Sequence, residues 1–529
     1  MSREDLYTAV APFPTPFNLC DYFLERNLRE GRADKVALIV GDERRTYAQL
    51  AARVRRLCSA MRRAGLRAEE RVLIALPDGF EFAETWFATL RAGGVFAMVN
   101  PLMKREQFEY YLAYTKARIV VTHSDVLPEI AEAARSSRFC ETMLVVGPRA
   151  AGGIGYEAAL EREDASGALA ELEPTGPDDL AGWLFTSGST GHPKGCVHTH
   201  GDFAYSTETY ALRVAGYRES DVCISVPKLF FGYATGTNLM FPFRVGASAV
   251  LFPERATPEE LFLQIERHRP TFLTGVPTMF NNMLRSEHIT RADLSSLRVA
   301  LSAGEALPAQ LYSDWKARTG VEILDGIGSA EMFHIYISNY PGDVKLGSLG
   351  RVVPGYEAVI VDAEGRPVAD GEPGRLRVRG GSTALCYWAD KRKSRETFQG
   401  EWCTSADIFR RDQDGYFYYE GRDDDLLKVS GIFVSPLEIE NVLLAHEAVA
   451  EVCVLGHEDE ERLVKPLALV VLKPGLVGDD ALAARLKAHC KEKLAPYKYP
   501  RWFVWREALP KNDRGKVARK DLKAELHKR

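Results

Sequence analysis

Residues 186–195 read TSGSTGHPKG: Thr186, Ser187, Gly188, Ser189, Thr190, Gly191, His192, Pro193, Lys194 and Gly195. The segment directly follows the apolar run GWLF. Small residues after a strand leave backbone N–H groups exposed and close together, and the hydroxyls add donors. Such a loop can wrap a polyphosphate. Lys194 adds a point charge suited to phosphate oxygens. The GxxxxGK[ST] spacing of a P-loop is absent, because Pro193 stands five residues past Gly188. The competing reading, a flexible surface turn, accounts poorly for three glycines, four hydroxyls, a proline and a lysine in ten residues.

The elements that must position this loop are legible as apolar runs. VALIV (36–40), RVLIAL (71–76), ARIVVT (117–122), MLVV (143–146), GWLFTSG (182–188), VCISVP (222–227), SAVLF (248–252), TFLTGVP (271–277) and LRVALSAG (297–304) read as strands. Amphipathic stretches such as TYAQLAARVRRLCSAMRRAGL (46–66) and ELFLQIERHR (260–269) separate several of them. Alternation of buried strands with helices predicts an α/β fold with mostly parallel sheets. After about residue 345, YEAVIVD, GRLRVRG and DGYFYYEGR alternate between turns and predict a small antiparallel β unit. A fresh α+β series follows Asp423-Asp424-Asp425, long enough for a separate small domain. The expected division is 1–423 and 424–529.

Composition narrows the function classes. The 529 residues carry 68 basic and 73 acidic side chains, a net charge of -5, which implies no field for nucleic acid or anionic membrane. Arg53, Arg55, Arg56, Arg62 and Arg63 cluster, and the expected explanation is the solvated face of one helix. Nine cysteines without a CxxC pair argue against a disulfide framework or a zinc site. No signal-like start and no membrane-length apolar run are present, so a cytoplasmic location is expected.

The segment TSGSTGHPKG resembles the phosphate loop of the adenylate-forming superfamily, which comprises acyl-CoA synthetases, peptide-synthetase adenylation domains and firefly luciferase. Further segments resemble that superfamily's motifs in the expected order. They are SAGEALP (302–308), DGIGSAE (325–331), TSAD (404–407), GRDDD (421–425) and KNDRGK (511–516). The resemblance implies ATP, Mg²⁺ and coenzyme A, and a carboxylate attacking the α-phosphate to expel pyrophosphate. It assigns Thr186, Ser187, Gly188, Ser189, Thr190, Gly304, Glu305, Ala306, Asp325, Gly326, Ile327, Asp407 and Arg422 to the nucleotide. Glu331 would hold Mg²⁺, Lys194 would meet phosphate, and Lys516 would reach the charge developing between carboxylate and phosphorus. Asp424 would be the hinge on which a small mobile C-terminal domain rotates, and Gly431 would line the pantetheine tunnel. One departure stands out. The superfamily usually has Thr before the magnesium glutamate, whereas this chain has Ala330. Ser329 should point the other way if the loop is extended.

KLFFGYA (228–234), GSAEMFH (328–334) and HTHGDFAY (198–205) resemble the benzoate-CoA ligase branch. That likeness places Gly232, Tyr233, Ala234, Ala303, Gly328 and His334 around an aromatic acid, with Tyr233 and His334 flanking its ring and glycines leaving a slot for it. Where that branch often carries Ala, this chain has Gly232, which suggests room for a ring substituent. The expectation is benzoate or a 2-substituted benzoate, 2-aminobenzoate (anthranilate) foremost. A stand-alone enzyme loading a separate carrier protein stays open, as does a homodimer. A catalytically dead, nucleotide-sensing relative is disfavoured by the presence of Glu331, Asp407 and Lys516.

Overall fold

The computed structural model describes residues 10–148, 150, 152–186, 192–422, 427–429, 432–459, 463–494, 498–511 and 517–526. Two large sheets form the N-terminal body. Six parallel strands make the centre of the first: Val36–Val40, Ser248–Leu251, Val222–Ser225, Phe272–Gly275, Val299–Ala303 and Ile323–Gly328, in that spatial order. Antiparallel strands flank it, Glu43–Thr46 on one side and Ile335–Ser338 then Arg351–Val352 on the other. The second sheet has six parallel strands, Ile154–Gly155, Thr142–Val146, Ile119–His123, Arg71–Ala75, Val95–Met98 and Leu180–Thr186. It ends in the antiparallel pair Lys194–Thr199 and Cys386–Tyr387. Central strands such as Val95–Met98 are buried along their whole length, as a parallel sheet covered on both faces requires.

The helices show why the sheets stay together. Tyr47–Arg63 starts at a capping box in which Thr46 and Gln49 satisfy each other's backbone N–H groups. Leu50, Val54, Leu57 and Met61 fall on its buried face at helical spacing. The arginines of this helix are not merely solvated. Arg53 reaches the buried Glu84 at 2.6 Å, Arg62 reaches Glu173 at 2.7 Å, and Arg55 and Arg63 pair with Glu25 and Glu163. Phe80–Arg91 is buried all round except at Glu81, and its Trp86, Phe87 and Leu90 join a core shared by both sheets.

The antiparallel unit forms as expected, from Glu357–Val361, Gly374–Arg379, Trp402–Arg411, Phe398–Gln399 and Phe417–Arg422. The C-terminal unit pairs Val449–Glu458 antiparallel with Val464–Leu472 and the latter parallel with Trp502–Arg506. Helices Pro436–Leu444 and Asp480–Lys493 cover it, around a core of its own. All nine cysteines are free thiols. Among the described residues no helix is long and apolar enough to cross a membrane.

Candidate active site

Several of the predicted site segments lie at carboxyl ends of parallel strands, where α/β sheets open a crevice. Strand Leu180–Thr186 leads out to the glycine-rich loop. Residues 187–191 of that loop are outside the described residues. Lys194 starts the next strand, paired with Thr186, so the flanking strands are antiparallel neighbours. The arm after the loop is braced by tyrosines. Tyr110 Oη donates to Pro193 O at 2.7 Å, and Tyr114 Oη accepts from Gly195 N at 3.1 Å. The Lys194 ammonium lies 3.5 Å from the Asp390 carboxylate, which also caps the helix Lys391–Thr397.

Strand Val299–Ala303 ends at Gly304, whose φ of 89° favours glycine. Glu305 is engaged elsewhere: its Oε2 accepts from Thr278 N at 3.1 Å and Thr278 Oγ1 at 2.8 Å, while Oε1 is buried without a partner. Asp325, on strand Ile323–Gly328, is buried with Oδ1 unpartnered, and burial pushes its carboxyl up to about 8. A buried acceptor without a donor suits an incoming amino group such as that of adenine. On the antiparallel sheet Asp407 stands directly opposite Arg422 in register. Ser405 orients Asp407, through Oγ to Asp407 N at 2.9 Å and to Oδ2 at 3.2 Å.

The segment after Gly328 is only partly extended. Ser329 is extended, but Ala330–Met332 form a 3₁₀ turn, so the simple alternation expected for an extended loop stops at Ser329. All three carbonyls of the turn are held. Ala330 O accepts from His198 Nε2 at 2.7 Å, Glu331 O from Ala384 N at 2.8 Å, and Met332 O from Ser382 Oγ at 2.8 Å. Phe333 then takes φ 63°, ψ −59°, and His334 N closes back on Met332 O at 2.8 Å. This is a γ-turn of the rare, strained hand, costing about 1–3 kcal/mol. It reverses the chain so that Glu331 and His334 serve different sides of one turn.

The Glu331 carboxylate is half-buried, and its Oε1 accepts from Tyr387 Oη at 2.6 Å. Burial and the Glu331 charge together hold the Tyr387 phenol well above its ordinary range, so it stays a donor. One fixed carboxylate suits Mg²⁺, which usually takes one or two carboxylates together with substrate phosphates and water. Among the described residues no group of three acidic, His or Cys side chains forms a closed metal cage.

The expected aryl pocket comes together with different internal geometry. Tyr233 and His334 do not stand on opposite sides of a slot. Their rings touch each other at 5.3 Å, and His334 Nε2 donates to Tyr233 O at 3.1 Å. His334 is also packed by Tyr210, Phe241 and Phe333, and its Cδ2 occupies the space where Gly236 lacks a side chain. Burial pulls its pKa down to about 3, so the imidazole is neutral. With the hydrogen on Nε2, the buried, unpartnered Nδ1 is an acceptor. Tyr233 Oη is likewise buried without a partner. Gly326 and Gly328 open no slot on their missing-Cβ side: a Cβ would meet Ile337 O at 2.7 Å and His334 O at 2.5 Å. Ala234 is fully buried and Ala303 nearly so. A Cβ on Gly232 would meet Leu184 at 3.2 Å.

Tyr387, fifty-six residues from Glu331, had no signal in the sequence as a site residue. His198 did, inside HTHGDFAY, but without a role. Asp424, Gly431 and Lys516 lie outside the described residues, as does the side chain of Arg422. The flanks of the Lys516 segment, Lys511 and Val517, pair as an antiparallel bridge.

A large α/β body with a nucleotide-suited crevice, an antiparallel unit and a small C-terminal unit define an adenylate-forming enzyme. A family model for AMP-binding enzymes matches residues 24–388, and a model for the C-terminal domain of such enzymes matches residues 438–516. The chain belongs to the AMP-binding enzyme family. It is 43% identical to a benzoate–CoA ligase of Thauera aromatica over 97% of this chain and 96% of that one. Among solved structures it is similar to an anthranilate CoA ligase in complex with anthranoyl-AMP, with a TM-score of 0.92 and 39% identity over 97% and 98% of the two chains. A benzoate CoA ligase from Burkholderia xenovorans LB400 superposes with a TM-score of 0.88 at 40% identity, over 96% and 99%.

Proposed function

We propose that this chain, an AMP-forming acid–CoA ligase using ATP, Mg²⁺ and coenzyme A, acts on benzoate or a 2-substituted benzoate, with 2-aminobenzoate preferred. The observation that carries this reading is the aromatic wall of Tyr233, Tyr210 and Phe241 around a neutral His334 whose Nδ1 lacks a donor. No Lys or Arg stands among the proposed aryl residues, so a second carboxylate would go unpaired. The ortho preference follows from counting hydrogens. A 2-hydroxyl has one, and it bonds its own carboxylate. A 2-amino group has two, one for the carboxylate and one for His334 Nδ1. The anthranilate and benzoate ligases among its relatives support the same substrate class.

In the first half-reaction the carboxylate attacks the α-phosphorus and pyrophosphate leaves. Mg²⁺ supplies charge neutralisation for the polyphosphate. Glu331 would hold that ion, kept in place by Tyr387. Lys194 would leave Asp390 for a phosphate oxygen. Asp407 would accept from the ribose hydroxyls and Asp325 from the adenine amine. Lys516 would meet the charge developing on phosphorus, an oriented contribution of the kind worth about 10²–10³ in rate. In the second half-reaction the thiol of coenzyme A displaces AMP. We assign the division at 423/424, with Asp424 as the hinge and Gly431 in the tunnel, and a cytoplasmic location consistent with nine free thiols.

The test is kcat/KM for benzoate, 2-aminobenzoate, 2-hydroxybenzoate, cinnamate, acetate and hexanoate, with coenzyme A and a carrier protein as alternative acceptors. 2-Aminobenzoate should lead. His334→Phe should cost it about 2–10-fold, one neutral hydrogen bond, and leave benzoate nearly unchanged. An enzyme fastest on an aliphatic acid refutes the aromatic assignment, and acylation of the carrier alone refutes the coenzyme A assignment.

A further inference from the structure

We propose that His198, oriented by Asp202, is a positioning residue for adenylation: it anchors the Ala330 carbonyl and thereby fixes the carboxylate of Glu331. The proposal rests on the reading of Glu331 as the magnesium ligand. His198 is fully buried on strand Lys194–Thr199, and both ring nitrogens are engaged. A carbonyl can only accept, so the 2.7 Å contact to Ala330 O places the hydrogen on Nε2. On the other side Nδ1 lies 2.8 Å from Asp202 Oδ2. Asp202 is itself immobilised. It accepts from Thr199 N at 3.1 Å and Thr199 Oγ1 at 2.9 Å, as half of the capping box that opens helix His200–Ser206. The ring cannot turn without losing a carboxylate that the helix cap holds in place.

This anchor joins two elements that the site must keep in register. Strand Lys194–Thr199 carries Lys194 at its start and His198 near its end, so one strand holds both the ammonium that would meet phosphate and the turn beneath Glu331. The opposite side of the turn is held by Ala384 N on Glu331 O and by Ser382 Oγ on Met332 O, the latter backed by Tyr356 Oη at 2.7 Å. Beyond it the strained backbone of Phe333 would relax if the turn were released. At position 330 there is only a methyl side chain, so the turn's fixing on the His198 side comes through its backbone. Partners one step removed from a metal ligand typically matter by about 10–100-fold in metal affinity or activity.

The experiment compares His198→Phe, His198→Gln and Glu331→Gln with the full-length enzyme. Mn²⁺ binding in the presence of a non-hydrolysable ATP analogue is read by electron paramagnetic resonance. The two half-reactions are assayed separately, thioester formation starting from supplied aryl-AMP. His198→Phe keeps the bulk and removes the donor. It should weaken Mn²⁺ binding and slow adenylation by about 10-fold or more, while thioester formation, which releases no pyrophosphate, stays within about two-fold. Gln can still donate to Ala330 O and should recover most of the loss. Should His198→Phe not fold, Ser382→Ala, which removes one of the two donors to the Met332 carbonyl, carries the same expectation. If Glu331→Gln weakens Mn²⁺ binding and neither His198→Phe nor Ser382→Ala does, the anchor is refuted and the ligand assignment stands. If Glu331→Gln leaves Mn²⁺ binding unchanged, the ligand assignment falls and the anchor with it. Equal loss in both half-reactions also overturns the proposal, because it signals general damage.

Discussion

Two residues at the turn 330–334 lend themselves to tests that separate chemistry from packing. Ala330 is half-buried against Cys196, Ala384 and Tyr387, and its carbonyl is already held by His198. Ala330→Thr should therefore fold, and it should accelerate adenylation modestly if the regained hydroxyl reaches phosphate. One hydrogen bond to a charged group is worth about 1.5–3 kcal/mol at most. A folded but inactive Ala330→Thr would mean that the space beside the turn is already required. His334 yields a pH signature. Its pKa is pulled by burial from 6.5 to about 3. Between those values the unfolded chain binds a proton that the folded chain does not. The stability is therefore complete above pH 6.5 and declines by up to about 1.4 kcal/mol per pH unit towards 3. His334→Phe removes that titration. Its stability relative to the native chain should rise as pH falls from 7.5 to 5, as measured by urea unfolding. His200, buried and pulled to about 4, titrates alike in both proteins and cancels. A pH-independent difference would mean that His334 titrates in the folded chain as it does in the unfolded one.

At the scale of elements, the hairpin of strands Ile323–Gly328 and Ile335–Ser338 does two jobs. It carries Asp325, proposed to meet the nucleotide, and through Gly328 it brings its own return strand into contact. A methyl on Gly328 would sit 2.5 Å from His334 O and 2.6 Å from His334 C, both backbone atoms that cannot rotate away. Gly328→Ala should lower stability by about 1–3 kcal/mol, visible as a fall in Tm, and should displace His334 enough to raise KM for the aryl acid more than KM for ATP. An unchanged Tm would show that the strands are further apart than described. The aromatic-acid reading uses glycines here as spacers. The structure gives them a different physical reason, the close approach of two strands.

For the whole molecule, the question is how one site serves two half-reactions. The body and the C-terminal unit meet at Arg285 Nη2, which donates to Ala450 O at 2.8 Å, and at Ser435 Oγ, which donates to Glu420 O; hydrogen bonds of this kind are individually modest. Lys516→Ala should slow adenylation by about 10²–10³ and spare thioester formation from supplied aryl-AMP. Asp424→Pro should do the reverse. Proline fixes φ near about −65° and holds the junction in one orientation. If that orientation is the adenylating one, aryl-AMP accumulates and acyl transfer fails, which rapid-quench measurement of both products would detect. Normal thioester production by a folded Asp424→Pro enzyme would remove Asp424 from the hinge role.

The alternation of apolar runs such as VALIV and LRVALSAG with amphipathic stretches was enough to determine an α/β body, because a strand buried on both faces must be apolar along its length. The motifs around TSGSTGHPKG, taken in order, resemble those of the adenylate-forming superfamily, and that resemblance pointed to the family and its ATP chemistry, while the residues themselves supplied a loop suited to phosphate. What no local pattern contains is distance between remote segments. Strands Val95–Met98, Lys194–Thr199 and Ile335–Ser338 are too short or too mixed in polarity to announce themselves, and they are recognisable only by the neighbours that pair with them. Tyr387 meets Glu331 because strand Cys386–Tyr387 pairs with Lys194–Thr199, far away in the chain. Tyr233 and His334 form one wall instead of two because a γ-turn at Phe333, held through its flanking carbonyls by His198 and Ser382, reverses the chain there. Backbone strain of that kind persists only where the surrounding packing imposes it, and so it belongs to the tertiary structure alone.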